Sequence, residues 1–357
     1  MKLLVTGGSG HLGANLIRRL VANGERVVAL SRPGSNNSAL DGLPIERVSG
    51  DLRSADDMTR AMRGVTRVYH CAAKVSTTAG GEREIYDCNV IGTKNLLAAA
   101  LAAKVERVVV TSSFSAVGHT EGRPADERDL FYPFEEHMPY ERSKAWVEHE
   151  CLKAVIQGLD VVIATSCAIL GPADFKPSRM GRLVQDFANG KLRAYIPGGF
   201  EFVAADDIVQ GHLLAMEKGK TGEKYIISTR FVTVDELVEV LEKITGKKRP
   251  TLRLPPGVMA RIAVVSSFVL TNFFPDVPQR FTPGAVRILG MARRADTGKA
   301  QRELGYRPTS IEEALKQAYE FHVAQGSIVG VSPGRPAPAP RPAAAPEKAR
   351  ISGAVLS

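Results

Sequence analysis

Lys2-Leu3-Leu4-Val5-Thr6-Gly7-Gly8-Ser9-Gly10-His11-Leu12-Gly13 opens the chain. It reads as a short apolar strand, a glycine-rich turn and the start of a helix. Gly7, Gly10 and Gly13 divide three physical tasks. One permits the tight turn, one lets backbone approach a pyrophosphate with no side chain in the way, and one lets the helix lie close to the strand. The helix then offers unpaired N–H groups and a positive dipole end to phosphate. Strand, turn and helix in that order mark a dinucleotide site, with Thr6 and the His11–Leu12 backbone around it.

Outward from this turn, apolar strand-like runs alternate with helix-like segments. Strands are expected at Lys2–Thr6, Arg26–Leu30, Ile45–Ser49, Arg67–Cys71, Arg107–Ser112 and Asp160–Ser166. Helices are expected near His11–Asn23, Ala55–Arg63, Glu84–Lys104 and Pro139–Gln157. Val-rich strands without polar alternation suit a parallel sheet covered on both faces. The fold class is therefore α/β, a doubly wound parallel sheet. After Gly171-Pro172 the segments shorten, with strands at Arg193–Ile196 and Glu223–Ser228 and helices at Asp207–Lys218 and Val234–Thr245. Residues 1–170 are read as the dinucleotide domain, rejoined by about 200–230, and 171–325 as mainly a smaller C-terminal substrate lobe. From Gly326 to Ser357 Pro, Ala, Gly and Arg dominate, as in Pro336-Ala337-Pro338-Ala339-Pro340, and a disordered tail is expected.

The 357 residues are 44% apolar and 24% charged, as in a globular protein with a substantial core. The net charge of +9 does not indicate nucleic acid. Its Lys and Arg residues are scattered, no basic stripe is interleaved with aromatics, and part of the excess (Arg335, Arg341, Lys348, Arg350) falls in the tail. Cys71, Cys88, Cys151 and Cys167 form no CxxC pair, and no His cluster has metal-ligand spacing. Reduced thiols and no metal are expected. With the first strand starting at Lys2 and no signal-peptide pattern before it, a cytoplasmic setting is expected. Val258–Phe274 is strongly apolar, with Arg261 its one charge. It is short for a span, so it reads as a core or cleft-lining helix, with peripheral membrane contact as the alternative.

The chemistry centres on Tyr140-Glu141-Arg142-Ser143-Lys144. Tyr140 and Lys144 lie four apart on an expected helix and share its face. A phenol titrates near ~10 when free; a nearby ammonium is expected to lower that value and fit it for proton exchange in a carbonyl–alcohol interconversion. The strand before this helix ends in Thr111-Ser112-Ser113-Phe114-Ser115. Strand C-terminal ends face the cofactor crevice in such sheets, and a hydroxyl there can hold a developing alkoxide; local turn bonding is the plainer reading.

Taken together these elements resemble the short-chain dehydrogenase/reductase superfamily, and within it the extended branch, the NAD-dependent epimerase/dehydratase group. The resemblance runs from Met1 to about Gly326. It rests on TGGSGHLG at Thr6–Gly13, GDL at Gly50–Leu52, HCAA at His70–Ala73, NVIGTKNLL at Asn89–Leu97, TSS at Thr111–Ser113, YERSK at Tyr140–Lys144, LGP at Leu170–Pro172 and DTGKAQRELGYRP at Asp296–Pro308. It implies a Rossmann-type sheet with Ser113 as catalytic serine, Tyr140 as acid/base and Lys144 as its partner, also holding the nicotinamide ribose. It places Asp51 and Leu52 at the adenine and Ala72 and Ala73 along the dinucleotide. Asn89, Ser112 and Ser166 join the expected cofactor contacts. Two departures stand out: Ala116-Val117-Gly118 replaces the family's VYG, and Ser166-Cys167 lacks its proline.

At the end of the second strand, Leu30-Ser31-Arg32-Pro33-Gly34 has no carboxylate for an NAD ribose but offers a hydroxyl and a guanidinium that can pair with a 2′-phosphate. NADP(H) is expected over NAD(H), with Ser31 and Arg32 as ligands. SRPGS (31–35), Gly171–Val184 and Phe202–Gly219 are most similar to dihydroflavonol-reductase-like proteins, including a hopanoid-associated epimerase-like group, and lie near the 3β-hydroxysteroid dehydrogenases and sterol decarboxylases. These resemblances imply an oxidoreductase acting on a small hydrophobic, flavonoid-, steroid- or sterol-like substrate, with decarboxylation of a β-keto acid as an extension. Lys176, Arg179 and Arg182 read either as contacts to an anionic substrate group or as a solvated charged face. The alternatives are a nucleotide-sugar epimerase or dehydratase with tightly held NAD, and a non-catalytic NADP-binding regulator. A monomer or homodimer is expected.

Overall fold

The computed structural model describes residues 1–76, 80–119, 122–132, 138–255, 257–259, 261–264, 266 and 282–330. Seven strands form the main sheet: β1 (Lys2–Thr6), β2 (Arg26–Ser31), β3 (Glu46–Ser49), β4 (Arg67–His70), β5 (Arg107–Ser113), β6 (Val161–Ser166) and β10 (Lys224–Ile227). Their spatial order is β10-β6-β5-β4-β1-β2-β3, and every pairing is parallel. Chain order reverses beside β1, which pairs with β2 on one side and β4 on the other. That reversal opens a crevice at the strand C-termini, where ligands bind in such sheets.

The apolar runs form central strands because both of their faces are covered. Leu3 and Val5 enter one core with Leu16, Ile17 and Leu20 of α1 (His11–Ala22) and Ile208 and Val209 of a later helix, Ala205–Lys218. Leu4, between them, enters the opposite core with Met58 of α2 (Ala55–Ala61) and Leu96 and Leu97. Each fully buried Leu or Ile is worth roughly 1.5–3 kcal/mol, so one strand secures both helical layers. The helix expected at Glu84–Lys104 is three pieces: α3 (Glu82–Tyr86), a π-helical turn (Asp87–Ile91) and α4 (Gly92–Ala102). α5 (Pro139–Ile156) follows β5 and carries the Tyr140–Lys144 motif.

Beyond β6 the chain builds smaller sheets. β7 (Ala168–Leu170), β9 (Gly199–Ala204) and β11 (Arg230–Thr233) form one, in the order β11-β9-β7. β8 (Ala194–Tyr195) pairs with β12 (Leu252–Arg253). α6 (Arg179–Ala188), α8 (Val234–Thr245) and α10 (Ile311–Ala324) pack on the three-stranded sheet, while α7 (Ala205–Lys218) returns to the main sheet. α9 (Pro283–Met291) packs through Val286 and Leu289 on Met259 and Ala263. Helical backbone occupies 257–259 and 261–264, with Val258, Ile262 and Val264 exposed; most of Val258–Phe274 lies outside the described residues. Among the described residues no helix is long and apolar enough to cross a membrane. The packed chain extends past Gly326, where composition placed the start of the tail: Ile328 is buried on Ala188 and Val323, and Val329 N–H donates to Asn189. Residues 331–357 lie outside the described residues.

Candidate active site

The glycine turn is a close fit of backbone on backbone. Gly7 has φ of +71°, and a Cβ there would stand 2.6 Å from the Ala72 nitrogen. A Cβ on Gly13 would meet the Gly7 carbonyl oxygen at 2.2 Å. Gly10 caps α1 with no side chain, its N–H donating to Gly7 O at 2.9 Å. The α1 amides that follow open on the crevice as an anion site. Gly8, which sequence reasoning passed over, shares the helix-packing task, since a Cβ there would be 2.5 Å from Ile17 Cδ1.

Buried hydrogen bonds hold this turn to the next strand. Thr93 donates to the Asn89 carbonyl at 2.5 Å and so accepts from His70 Nε2 at 2.9 Å. His70 Nδ1 then accepts from Thr6 Oγ1 at 2.7 Å, and Thr6 accepts the Ala72 N–H at 3.3 Å. The direction of the chain assigns the tautomer. Burial, helped by the Lys144 charge, pushes the imidazole down to about 3, so it is neutral.

Beside it stand the three residues expected to react. Ser113 ends β5, and Ser115 donates to it from Oγ at 2.9 Å and from its N–H at 3.3 Å. Tyr140 lies in the first turn of α5, held by Pro139 and by Glu141, which accepts the Met138 N–H and Arg287, each at 2.8 Å. Lys144 donates to the Thr111 carbonyl at 2.8 Å. Burial raises the Tyr140 phenol above its ordinary value, and a hydrogen bond with Ser113 acts the other way. This corrects the expected direction. The ammonium is turned onto Thr111 and is itself pushed down to about 8 by burial. The interaction acting on the phenol here comes from Ser113.

The other expected contacts separate into two groups. Among the described residues Ser31 Oγ, at the end of β2, is buried with no hydrogen-bond partner, and the exposed Arg32 beside it lends its charge to Asp51 and Glu84. Ala72 follows β4 beside Gly7, with Ala73 next in the chain, and Leu12 turns its side chain into the core beneath the turn. These leave backbone and polar groups at the crevice. Five side chains are already engaged. Ser112 donates to Glu148 at 2.5 Å. Asn89 joins the loop after β4 to α5, accepting the Lys74 N–H at 2.7 Å and donating to Ser143 at 3.0 Å. Asp51 is clasped by Arg53, Ser166 donates to the Cys167 carbonyl, and His11 Nε2 contacts Pro172 O. Each of these side chains thus already has a partner within the protein. Lys176 reaches Ser9 of the glycine turn at 2.9 Å, while Arg182 donates to Pro177 O.

Several positioning residues carried little sequence signal. Arg293 donates to the carbonyls of Val117 and Gly118 at 2.7 and 2.8 Å and lies over Phe114, fixing the turn after Ser113 where VYG is missing. His212 of α7 donates from Nδ1 to Ile208 O and accepts from Thr111. His70, inside HCAA, and His212, inside Phe202–Gly219, fell within stretches the sequence had singled out, but neither was assigned a role. All four cysteines are free thiols.

The geometry agrees with what known proteins show. Residues 3–228 match the model of the "NAD dependent epimerase/dehydratase family". The "Sterol demethylase protein B" of Methylococcus capsulatus is 44% identical over 92% of this chain and all of its own length. The mouse "Sterol-4-alpha-carboxylate 3-dehydrogenase, decarboxylating" is 27% identical, covering 90% of this chain and 91% of its own. The crystal structure of gox2253 superposes with a TM-score of 0.80 at 32% identity, over 91% of this chain and 99% of that one. A Rossmann crevice with a bare glycine turn, and a match to the family model across most of that sheet, place this chain in the NAD-dependent epimerase/dehydratase family of extended short-chain dehydrogenase/reductases.

Proposed function

We propose that this enzyme interconverts a ketone and a secondary alcohol on a hydrophobic, sterol-like substrate with NADP(H). The placement of Ser113 at the crevice end of β5, with Tyr140 and Lys144 one turn apart at the start of α5 and Lys144 bonded to the Thr111 carbonyl of the same strand, carries the reading. The crevice fits a dinucleotide: the glycine turn admits no Cβ at Gly7 or Gly13, and Ser31 Oγ is buried without a partner. Thr6, Gly7, Gly10, His11, Leu12 and Gly13 would line the phosphates, largely through backbone. Ser31 and Arg32 would take the adenosine ribose and its phosphate. The absence of a carboxylate there supports NADP(H).

The bound nicotinamide supplies or accepts the hydride. Tyr140 passes its phenolic proton to the substrate oxygen in reduction and takes it back in oxidation. Ser113 holds that oxygen: it accepts from Ser115, and its own proton turns from the Tyr140 oxygen to the substrate oxygen. Lys144 restores the charge balance beside Tyr140, and its low value keeps its proton mobile near neutrality. The names of the sterol relatives support the substrate class, and one of them supports an extension. If the oxidised carbon lies beta to a carboxylate, the C–C bond breaks, carbon dioxide leaves, and the electron pair passes to an enolate that is then protonated on carbon. The exposed Val258, Ile262 and Val264 fit peripheral contact with the membrane that holds such substrates.

Purified enzyme should oxidise 3β-hydroxysterol 4-carboxylates, or reduce 3-ketosterols, with catalytic efficiency clearly higher for NADP(H) than for NAD(H). A preference for NAD(H) would contradict the cofactor assignment. Stoichiometric nicotinamide released on denaturation, with nucleotide-sugar turnover, would instead support the epimerase reading.

A further inference from the structure

The segment Gly171–Ser178 leaves the smaller lobe and straps across the first turns of α1. His11 Nε2 and Asn15 Nδ2 contact the Pro172 carbonyl at 3.0 and 2.9 Å. Ala173 takes φ of +59°, a conformation rare for a residue with a Cβ, and packs with Ala14 and Ala39. Phe175 joins that cluster under the Arg18 guanidinium, 4.8 Å from its ring centre. Asp174 is buried and accepts the Ser178 N–H at 2.8 Å, closing the loop on α6. So many anchors fix the one side chain between them that reaches outward: Lys176 Nζ lies 2.9 Å from Ser9 Oγ, inside the glycine turn.

Its electrostatic setting is unusual. Among the described residues no carboxylate acts on Lys176. Arg32 stands near enough that its charge, together with burial, lowers the Lys176 ammonium. The Arg32 charge also reaches Asp51 and Glu84, but Lys176 faces a second cation with no carboxylate acting on it, beside the unpartnered Ser31 hydroxyl, a setting that an anion would relieve.

We propose that Lys176 is a ligand for the cofactor's 2′-phosphate, which it and Arg32 grip from opposite sides, so that the smaller lobe contributes a specificity residue to the dinucleotide site. The inference rests on the NADP(H) reading above and extends it. Arg32 belongs to the sheet and Lys176 to the strap, so the phosphate also ties the strap to the glycine turn. This gives Lys176 a different task from the anionic substrate contact considered from sequence.

The test is binding of NADP+, NAD+, 2′,5′-ADP and 5′-AMP to wild-type, Lys176→Met and Lys176→Arg protein, followed by calorimetry, with melting temperatures as a check on folding. Lys176→Met should weaken NADP+ and 2′,5′-ADP by about tenfold or more and leave NAD+ and 5′-AMP within about threefold. Lys176→Arg should recover most of the loss. An equal loss for all four ligands would overturn the assignment in favour of the shared 5′-phosphate, and no loss for any would overturn it outright. A wild type that prefers NAD(H) would break the cofactor reading alone; a selective loss of 2′,5′-ADP would still support Lys176. A wild type that prefers NADP(H), with Lys176→Met unchanged, would break this inference alone.

Discussion

The seven-stranded sheet and the smaller lobe contribute to the same crevice by different physics. The sheet contributes backbone. Its strands are buried on both faces, and its glycine turn excludes side chains ahead of the first helix. The lobe contributes long cations: Lys176 reaches the glycine turn, Arg293 the turn after Ser113, and Arg287 the first turn of α5. Backbone sites depend on contacts that cannot move, whereas cation clamps depend on groups that can be exchanged or screened. Disturbing each side in turn should therefore give a ranked series of effects.

The largest effect belongs to the sheet. Gly13→Val places a side chain against the Gly7 carbonyl, 2.2 Å from the Cβ position, so backbone must shift. The variant should lose more than about 3 kcal/mol of stability, or else all measurable cofactor binding, as read by chemical denaturation and calorimetry. Acid should act next and on the same side. The values of His70 and His212 fall from 6.5 to about 3 and about 4, chiefly through burial. The unfolded chain binds protons there that the folded chain refuses. Stability is thus full above about 6.5 and falls as pH drops toward 4, by a few kcal/mol in total. Replacing His70 with Leu should flatten that slope while lowering stability at pH 7, because Thr6 and Thr93 lose their partner.

Effects in the lobe should be smaller and more specific. Arg293→Met leaves two carbonyls without their donor and should cost about 1–3 kcal/mol, with turnover falling more than cofactor affinity. Gly246→Ala, at the left-handed C-cap of α8 with φ of +67° and open space around it, should cost about 1 kcal/mol and leave the site untouched. If Arg293→Met lowered cofactor binding as much as Gly13→Val, the contrast between the two regions would fail.

The same contrast explains what could be read in the sequence. β1, β2 and β4 announced themselves because a strand covered on both faces must be apolar throughout, and the glycine turn because a close backbone approach tolerates little else. α8 forms where a helix was expected, Val234–Thr245, and the structure adds a Thr233–Glu236 capping box at its start. By comparison β7 and β11 are 3 and 4 residues long and half-buried, too short for a pattern to show. The π-turn at Asp87–Ile91 was missed because helical spacing continues through it. At the site, Tyr140, Lys144 and Ser113 followed from type and position, and their convergence is a property of topology. The engaged side chains of Ser112, Asn89 and Asp51 could not be anticipated, since their partners Glu148, Ser143 and Arg53 have no fixed spacing that marks them. The direction of the Tyr140 shift was misjudged because sequence shows the neighbouring ammonium but not the burial of both groups.

The central claim is that Tyr140 exchanges the proton while the glycine turn holds the cofactor, and replacing Tyr140 with Phe separates the two. Cofactor titration and single-turnover reduction of a 3-ketosterol should show affinity within about threefold of wild type and a rate lower by roughly 100-fold or more. A Tyr140→Phe enzyme that turned over at the wild-type rate would contradict the account.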